Sequence, residues 1–248
     1  SDVYKRQLQA RGYGLLPQVY GRRLWRDFVA AARPELDRPA VWAAAVEYLV
    51  GQQSNRAESQ AAGLRSIDAG NTDTPLVTAI DGEYDAFVVE CTSFRLAWTT
   101  MFRPNAAVWL NLAEDHQDWH TSIESYRAAK ARMWRFQGPE DAAIGFLDDP
   151  VVRSELAMAP SKHRTFGLHD GDYHVEEGLL IGPKGVIAPV SAMARSLPHD
   201  ITNALAASAL MLESGLAANA AIERALGSFS APRHRLQFVA EHDGVRYF

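Results

Sequence analysis

The sequence predicts an α/β fold: a mainly parallel, doubly wound sheet with a small antiparallel β flap. Three observations predict it. From Ala40 onward, short apolar runs alternate with helix-periodic segments. The two clearest runs, residues 84–90 (YDAFVVE) and 106–112 (AAVWLNL), each give way to polar residues. Between residues 163 and 190 the pattern changes to short strands punctuated by tight turns. In sheets of this kind ligands bind beyond the carboxyl ends of the strands, so the polar residues after each run are the first place to look for chemistry.

The elements follow in order. Residues 1–38 read as a tail or the remnant of a preceding domain, with one short helix at 24–32 between Gly21 and the prolines Pro34 and Pro39. Ser1 to Gln7 carry no apolar stretch, so no signal peptide is expected there. Residues 39–248 form the main domain. Its first strand is expected at 40–46, followed by the runs at 84–90 and 106–112. Residues 122–134 (SIESYRAAKARMW) predict a helix opened by a capping box of Thr121 and Glu124. A strand at 141–147 leads to Asp149-Pro150, a helix start with proline in the first turn. The flap is built from DYHV, LLI and VIAPV, separated by Glu177-Gly178 and by Gly182-Pro183-Lys184-Gly185. Asp200 is the expected N-cap of an Ala/Leu-rich helix running to Glu213, with Gly215 as its stop. A helix at 218–226 and a hairpin of 236–241 and 245–248 around Asp243-Gly244 close the chain.

With 248 residues, 47% hydrophobic and 22% charged, the chain can bury one sizeable core and a small appendage. A net charge of −5 with scattered basic residues excludes an electrostatic footprint for nucleic acid and a polybasic membrane patch. The single cysteine, Cys91, excludes an internal disulfide framework, and no apolar stretch is long enough to cross a bilayer. These features predict a cytoplasmic monomer.

Three places could carry chemistry. Glu114, Asp115, His116, Asp118 and His120 crowd the exit of the 106–112 strand, where side chains could converge on a cation; a solvated turn rich in caps explains the same residues. Zinc suits two histidines four apart but lacks an obvious further ligand. Lys130 shares a helical stripe with Ile123, Tyr126 and Trp134, at spacings of 3, 4 and 4. Desolvation on an apolar face disfavours an ammonium ion and favours a free amine able to act as base, form a Schiff base or take up carbon dioxide. The alternative is a stem that snorkels to solvent. Glu90 ends a strand and precedes Cys91, Thr92 and Ser93; it is either an oxygen ligand for magnesium or the first solvated residue of a loop.

At these residues the chain resembles the Mur ligase family, nearest its D-glutamate-adding branch. The resemblance runs from about residue 62 to 248 and rests on five ordered segments: ECTSFRL (90–96), WLNLAEDHQDWH (109–120), SYRAAKARMW (125–134), PHDITNALAA (198–207) and PRHRLQFVAEHDGVRYF (232–248). AGNTDTPLV (69–77) and VYGRRLW (19–25) are weaker matches. The resemblance implies a P-loop NTPase-like central domain. It implies magnesium held by Glu90, His116 and a carbamylated Lys130, with His116 and Lys130 catalytic. It further implies nucleotide contacts from His199, Asn203 and Arg235, and contacts to the UDP-sugar from Asn71, Thr92 and Ser93. The implied substrates are ATP, UDP-N-acetylmuramoyl-L-alanine and D-glutamate, joined through an acyl phosphate in peptidoglycan precursor synthesis.

The chain also departs from the family pattern. Where the family carries a phosphate-cradling Gly-Lys-Ser/Thr loop, residues 46–59 read VEYLVGQQSNRAES, with one glycine and no lysine. Asp73 replaces a glycine, Arg95 a glutamine and Asp200 the asparagine of a His-Asn-x-x-Asn motif, placing a negative charge near the nucleotide. The sequence given stops before the family's C-terminal domain. Two expectations therefore stand side by side: an ATP-dependent ligase, and an inactive Mur-like remnant that binds a UDP-sugar or a partner without turning over ATP.

Overall fold

The computed structural model describes residues 41–46, 63–71, 74–79, 82–99, 101–116, 118–228 and 240–247. The expected helix at 24–32, the stretch 47–59 and Arg235 lie outside them.

Six parallel strands form the central sheet: β1 (Val41–Val46), β2 (Ser66–Gly70), β3 (Ala86–Cys91), β4 (Ala106–Trp109), β5 (Ala142–Phe146) and β6 (Lys162–Phe166), in the order β2-β3-β1-β4-β5-β6. From β1 the chain crosses to one edge at β2, returns inward to β3, then passes β1 to β4 and winds out to the other edge through β5 and β6. The connection leaving β1 runs toward one edge and those leaving its neighbours β3 and β4 toward the other, so the crevice beyond the carboxyl ends of β3, β1 and β4 is the expected binding position.

Side chains alternate across the sheet, and the two faces bury separate cores. Ala86, Ala106, Val108, Ala142 and Ile144 face one way, onto Leu205, Ala209 and Leu210 of helix α5 (Pro198–Glu213) and Ile222 and Leu226 of α6 (Asn219–Ser228). Phe87, Val89, Ala107, Trp109 and Ala143 face the other, onto residues of α1 (Leu76–Ala79), α2 (Ser93–Trp98) and α4 (Pro150–Leu156), and onto Met133 and Trp134 just beyond α3 (Ile123–Ala131). Burial on both faces explains why β3 and β4 read as continuous apolar runs. The flap is an antiparallel sheet of β7 (His174–Glu176), β8 (Leu179–Gly182) and β9 (Gly185–Pro189), and β10 (Ala240–His242) pairs with β11 (Val245–Tyr247). Asp243 and Gly244 both take positive φ (51° and 74°), which twists the turn to match the strands it joins.

Four local expectations change. β2 and β6 are parallel edge strands that the apolar pattern did not mark, and β6 opens a stretch expected to be wholly hairpin. The cap of α3 is Ser122 with Ser125, not Thr121 with Glu124: each backbone N–H donates to the other's hydroxyl at 3.2 Å. Helix α5 starts at Pro198, so Asp200 is its third residue, reaching back to accept from the Leu197 N–H at 3.1 Å. Proline suits a first helical position because it has no N–H to leave unsatisfied there, which moves the start ahead of Asp200.

Candidate functional site

The exits of β3 and β4 flank that of β1, so they lie about 10 Å apart at the spacing of neighbouring strands. On the β3 side, Glu90 is in register with Ala45 of β1 and Gly70 of β2. Gly70 has φ +105°, and a Cβ there would fall 2.4 Å from the Glu90 carbonyl oxygen, so only glycine lets the two backbones approach this closely. The next residue, Asn71, donates its backbone N–H to the Glu90 carbonyl at 3.2 Å and its side-chain amide to the Glu90 carboxylate at 3.4 Å. Asn71 and Glu90 are thus brought together, with one carboxylate oxygen engaged by the amide. Thr92 caps α2, its hydroxyl accepting from the Arg95 N–H at 3.4 Å. Ser93 is buried, and its hydroxyl lies 2.9 Å from His120 Nε2. Burial pushes the thiol of Cys91 up to about 12, which leaves it an inert small hydrophobe.

On the β4 side, Asp149 fixes the exit by accepting from the Leu112 N–H at 2.7 Å while capping α4 through the N–H groups of Val151 and Val152. His116 then takes a left-handed backbone, φ 55°, and its carbonyl accepts from the N–H groups of Trp119 and His120, closing a tight turn. A non-glycine residue held in this region stores about 1–3 kcal/mol of strain, which persists only where the surroundings impose it. The turn presents both imidazoles to one aromatic group. His116 sits edge-on to Phe94 at 4.7 Å and to Tyr126 at 5.8 Å. His120 stacks on Phe94 at 5.8 Å and lies against Tyr126 at 5.1 Å. Burial first, then the charges of His116 and Lys130, hold His120 below the ordinary imidazole range, with Asp118 opposing.

Lys130 decides between the two readings of its stripe. It is 0% exposed, and its Nζ lies 4.6 Å from the centroid of the same Tyr126 ring. It does not snorkel. Tyr126 and Trp134 are buried with it, as the 3, 4, 4 spacing predicted. One ring therefore gathers Lys130, His116 and His120, and the Ser93–His120 contact joins this group to the loop that leaves Glu90.

His199 and Asn203 stand apart from this group, on the first turns of α5, which packs on the opposite face of the sheet. The far end of α5 meets the start of β6 through Glu213 and Lys162, so the helix runs against the strands and its first turn lies toward their carboxyl ends. Asp200 does not leave a bare negative charge there. Arg195 donates to both its oxygens, Nε to Oδ2 at 2.7 Å and Nη2 to Oδ1 at 2.6 Å, and His199 Nε2 lies 3.4 Å away.

Among the described residues no three His, Cys, Asp or Glu side chains gather as a metal-holding group, so a zinc site finds no support in them. A magnesium site that takes its third donor from a lysine carbamate is a different set. Of the residue types such a set needs, His116 and the buried Lys130 share the Tyr126 ring, and Glu90 holds its carboxylate on the Asn71 amide at the neighbouring exit. Gly70 and Asp149 also belong to this edge, and neither stands out in the sequence as part of it. A glycine ending a strand is the only signal that could have flagged the first.

The Mur ligase middle domain model matches residues 68–211. A UDP-N-acetylmuramoylalanine–D-glutamate ligase of Frankia casuarinae is 40% identical over 199 residues, covering 75% of this chain and 41% of the relative. A ligase of the same description from Mycolicibacterium vanbaalenii is 37% identical over 196 residues, covering 76% and 40%. The chain thus spans about two fifths of the length of these curated relatives. Among solved structures, MurF from Acinetobacter baumannii superposes with a TM-score of 0.68 at 18% identity, covering 90% of this chain and 53% of that one. FolC of E. coli, in complex with DHPP and ADP, superposes at 0.61 with 19% identity, covering 87% and 63%. These two likenesses concern the fold.

Proposed function

Because the chain belongs to the Mur ligase family, we propose that residues 39–248 are the central, ATP-binding domain of a ligase that adds D-glutamate to UDP-N-acetylmuramoyl-L-alanine in peptidoglycan precursor synthesis. The observation that carries this reading is the complete burial of Lys130 against Tyr126, with His116 on the same ring. Taking a lysine wholly out of water is costly, so a lysine buried this deeply beside a ring shared with two imidazoles is placed for chemistry rather than for solubility.

In this reading Glu90, His116 and a carbamylated Lys130 would hold magnesium, which would supply charge neutralisation at the phosphoryl oxygens. His199, Asn203 and Arg235 contact the nucleotide, and Asn71, Thr92 and Ser93 line the side where the UDP-sugar lies. The terminal alanine carboxylate takes the γ-phosphoryl group of ATP as an acyl phosphate with release of ADP, and the amine of D-glutamate attacks that carbonyl, losing a proton and displacing phosphate to form the amide. Tyr126 and Phe94 exclude water from the reacting end, and the Arg195–Asp200 pair keeps the first turn of α5 from opposing the nucleotide's charge.

The test is phosphate release from Mg-ATP in the presence of both other substrates. The ligase reading expects release by the chain and none from Lys130→Ala; equal rates from the two proteins contradict it. A second reading, a Mur-like domain that binds a UDP-sugar or a partner without turning over ATP, is favoured by the sequence VEYLVGQQSNRAES in place of a Gly-Lys-Ser/Thr loop. It expects calorimetry to find little Mg-ATP binding, restored when a Gly-Lys-Thr loop is introduced. Tight binding by the chain as it stands rejects it.

A further inference from the structure

We propose that His120 is a positioning residue: its bond to Ser93 sets the spacing between the loop that leaves Glu90 and the loop that carries His116, and thereby shapes the cation pocket. The inference rests on the ligase reading of that pocket. Its basis is geometric. The two loops leave strands separated by β1, about 10 Å apart. Arg132 ties the far ends of α2 and α3, donating to the carbonyls of Ala97 at 2.8 Å and Thr99 at 3.4 Å. The near ends meet through the 2.9 Å contact of Ser93 Oγ with His120 Nε2.

Both members of that contact are buried, so neither can exchange its partner for water. His120 is also wedged among Phe94, Trp119 and Tyr126, with ring centroids 5.8, 4.5 and 5.1 Å away. Its ring therefore cannot move without moving Tyr126, the ring shared by His116 and Lys130. The geometry makes His120 a strut rather than a ligand. It lies four residues beyond His116, on the far limb of the turn whose carbonyl it closes through its own N–H at 2.9 Å. Ser93, in turn, acts through its bond to His120 as well as through its place beside Thr92.

The experiment uses the full chain with Mn2+ as the probe. His120→Phe keeps the ring packing and removes the bond; His120→Gln keeps a nitrogen able to reach Ser93. Groups that orient metal ligands typically cost roughly 10- to 100-fold in affinity when removed. The expected result is a loss of that size in Mn2+ affinity for His120→Phe and for Ser93→Ala, with the double variant no worse than either single, and recovery in His120→Gln. Amide hydrogen exchange should rise in His120→Phe both around Ser93 and around His116. Additive losses in the double variant, or exchange that rises only beside residue 120, overturn the inference. Should the unaltered chain bind no Mn2+, the ligase reading of the pocket fails, and the exchange pattern alone decides whether the strut exists.

Discussion

Lys130 and Glu213 are both ionisable side chains held largely out of solvent, on elements that cover opposite faces of the sheet, and their surroundings differ in kind. Glu213 ends α5 and accepts from Lys162 Nζ at 2.6 Å, Arg164 Nε at 2.7 Å and the Tyr173 hydroxyl at 2.8 Å. Three donors, two from edge strand β6 and one from the start of the flap, saturate a single carboxylate. Lys130 is walled by Tyr126, with His116 and His120 on the same ring. A charge that collects its full set of strong partners is a clasp between elements. A buried lysine set among rings and imidazoles is what the proposed ligase chemistry uses.

That contrast can be broken by substitution. Glu213→Leu should lose about 3 kcal/mol of unfolding free energy, because it leaves the Tyr173 hydroxyl without its acceptor and Arg164 with only the longer Asp172 pair at 3.8 Å. The figure is at the low end for such pairs since Lys162 can turn to solvent. Lys130→Met should stay within about 1 kcal/mol of the parent chain, since an apolar side chain of similar length keeps the packing against Tyr126. Denaturant melts measure both. If Lys130→Met falls as far as Glu213→Leu, the two sites do not differ in kind.

The pH dependence of stability sharpens the comparison further. Burial alone would raise the carboxyl of Glu213, but hydrogen bonds from Lys162, Arg164 and Tyr173, with the charge of Arg164, outweigh it and hold the group below the usual glutamate range. A group whose folded value is depressed contributes stability that is complete above its unfolded value, about 4.3, and is lost as pH falls through the lower folded value. Melting temperature should therefore decline more steeply below about pH 4.3 in the parent chain than in Glu213→Gln. Parallel acid limbs would show that the three donors do not favour the ionised form.

How much of this was legible in the sequence depends on burial. The central strands β3, β4 and β5 announced themselves because both faces of each are covered, leaving unbroken apolar runs. The edge strands β2 and β6 did not: β6 opens Lys162-His163-Arg164, whose polar groups meet Glu213, Asp172 and the Ala159 carbonyl across the edge. Lys130 was legible because helical spacing alone places it between Tyr126 and Trp134. The role of His120 was not, because its partner Ser93 lies 27 residues away and only the fold brings them together. Asp200 looked like a liability from its position in the motif; Arg195, five residues earlier, cancels it.

The central claim is that Lys130 is a buried amine which takes up carbon dioxide to complete a cation pocket with Glu90 and His116. Carbon-13 NMR of the chain equilibrated with labelled bicarbonate and Mg2+ tests it directly. The account predicts a carbamate carbon signal that disappears in Lys130→Arg. Identical spectra from the two proteins would contradict it.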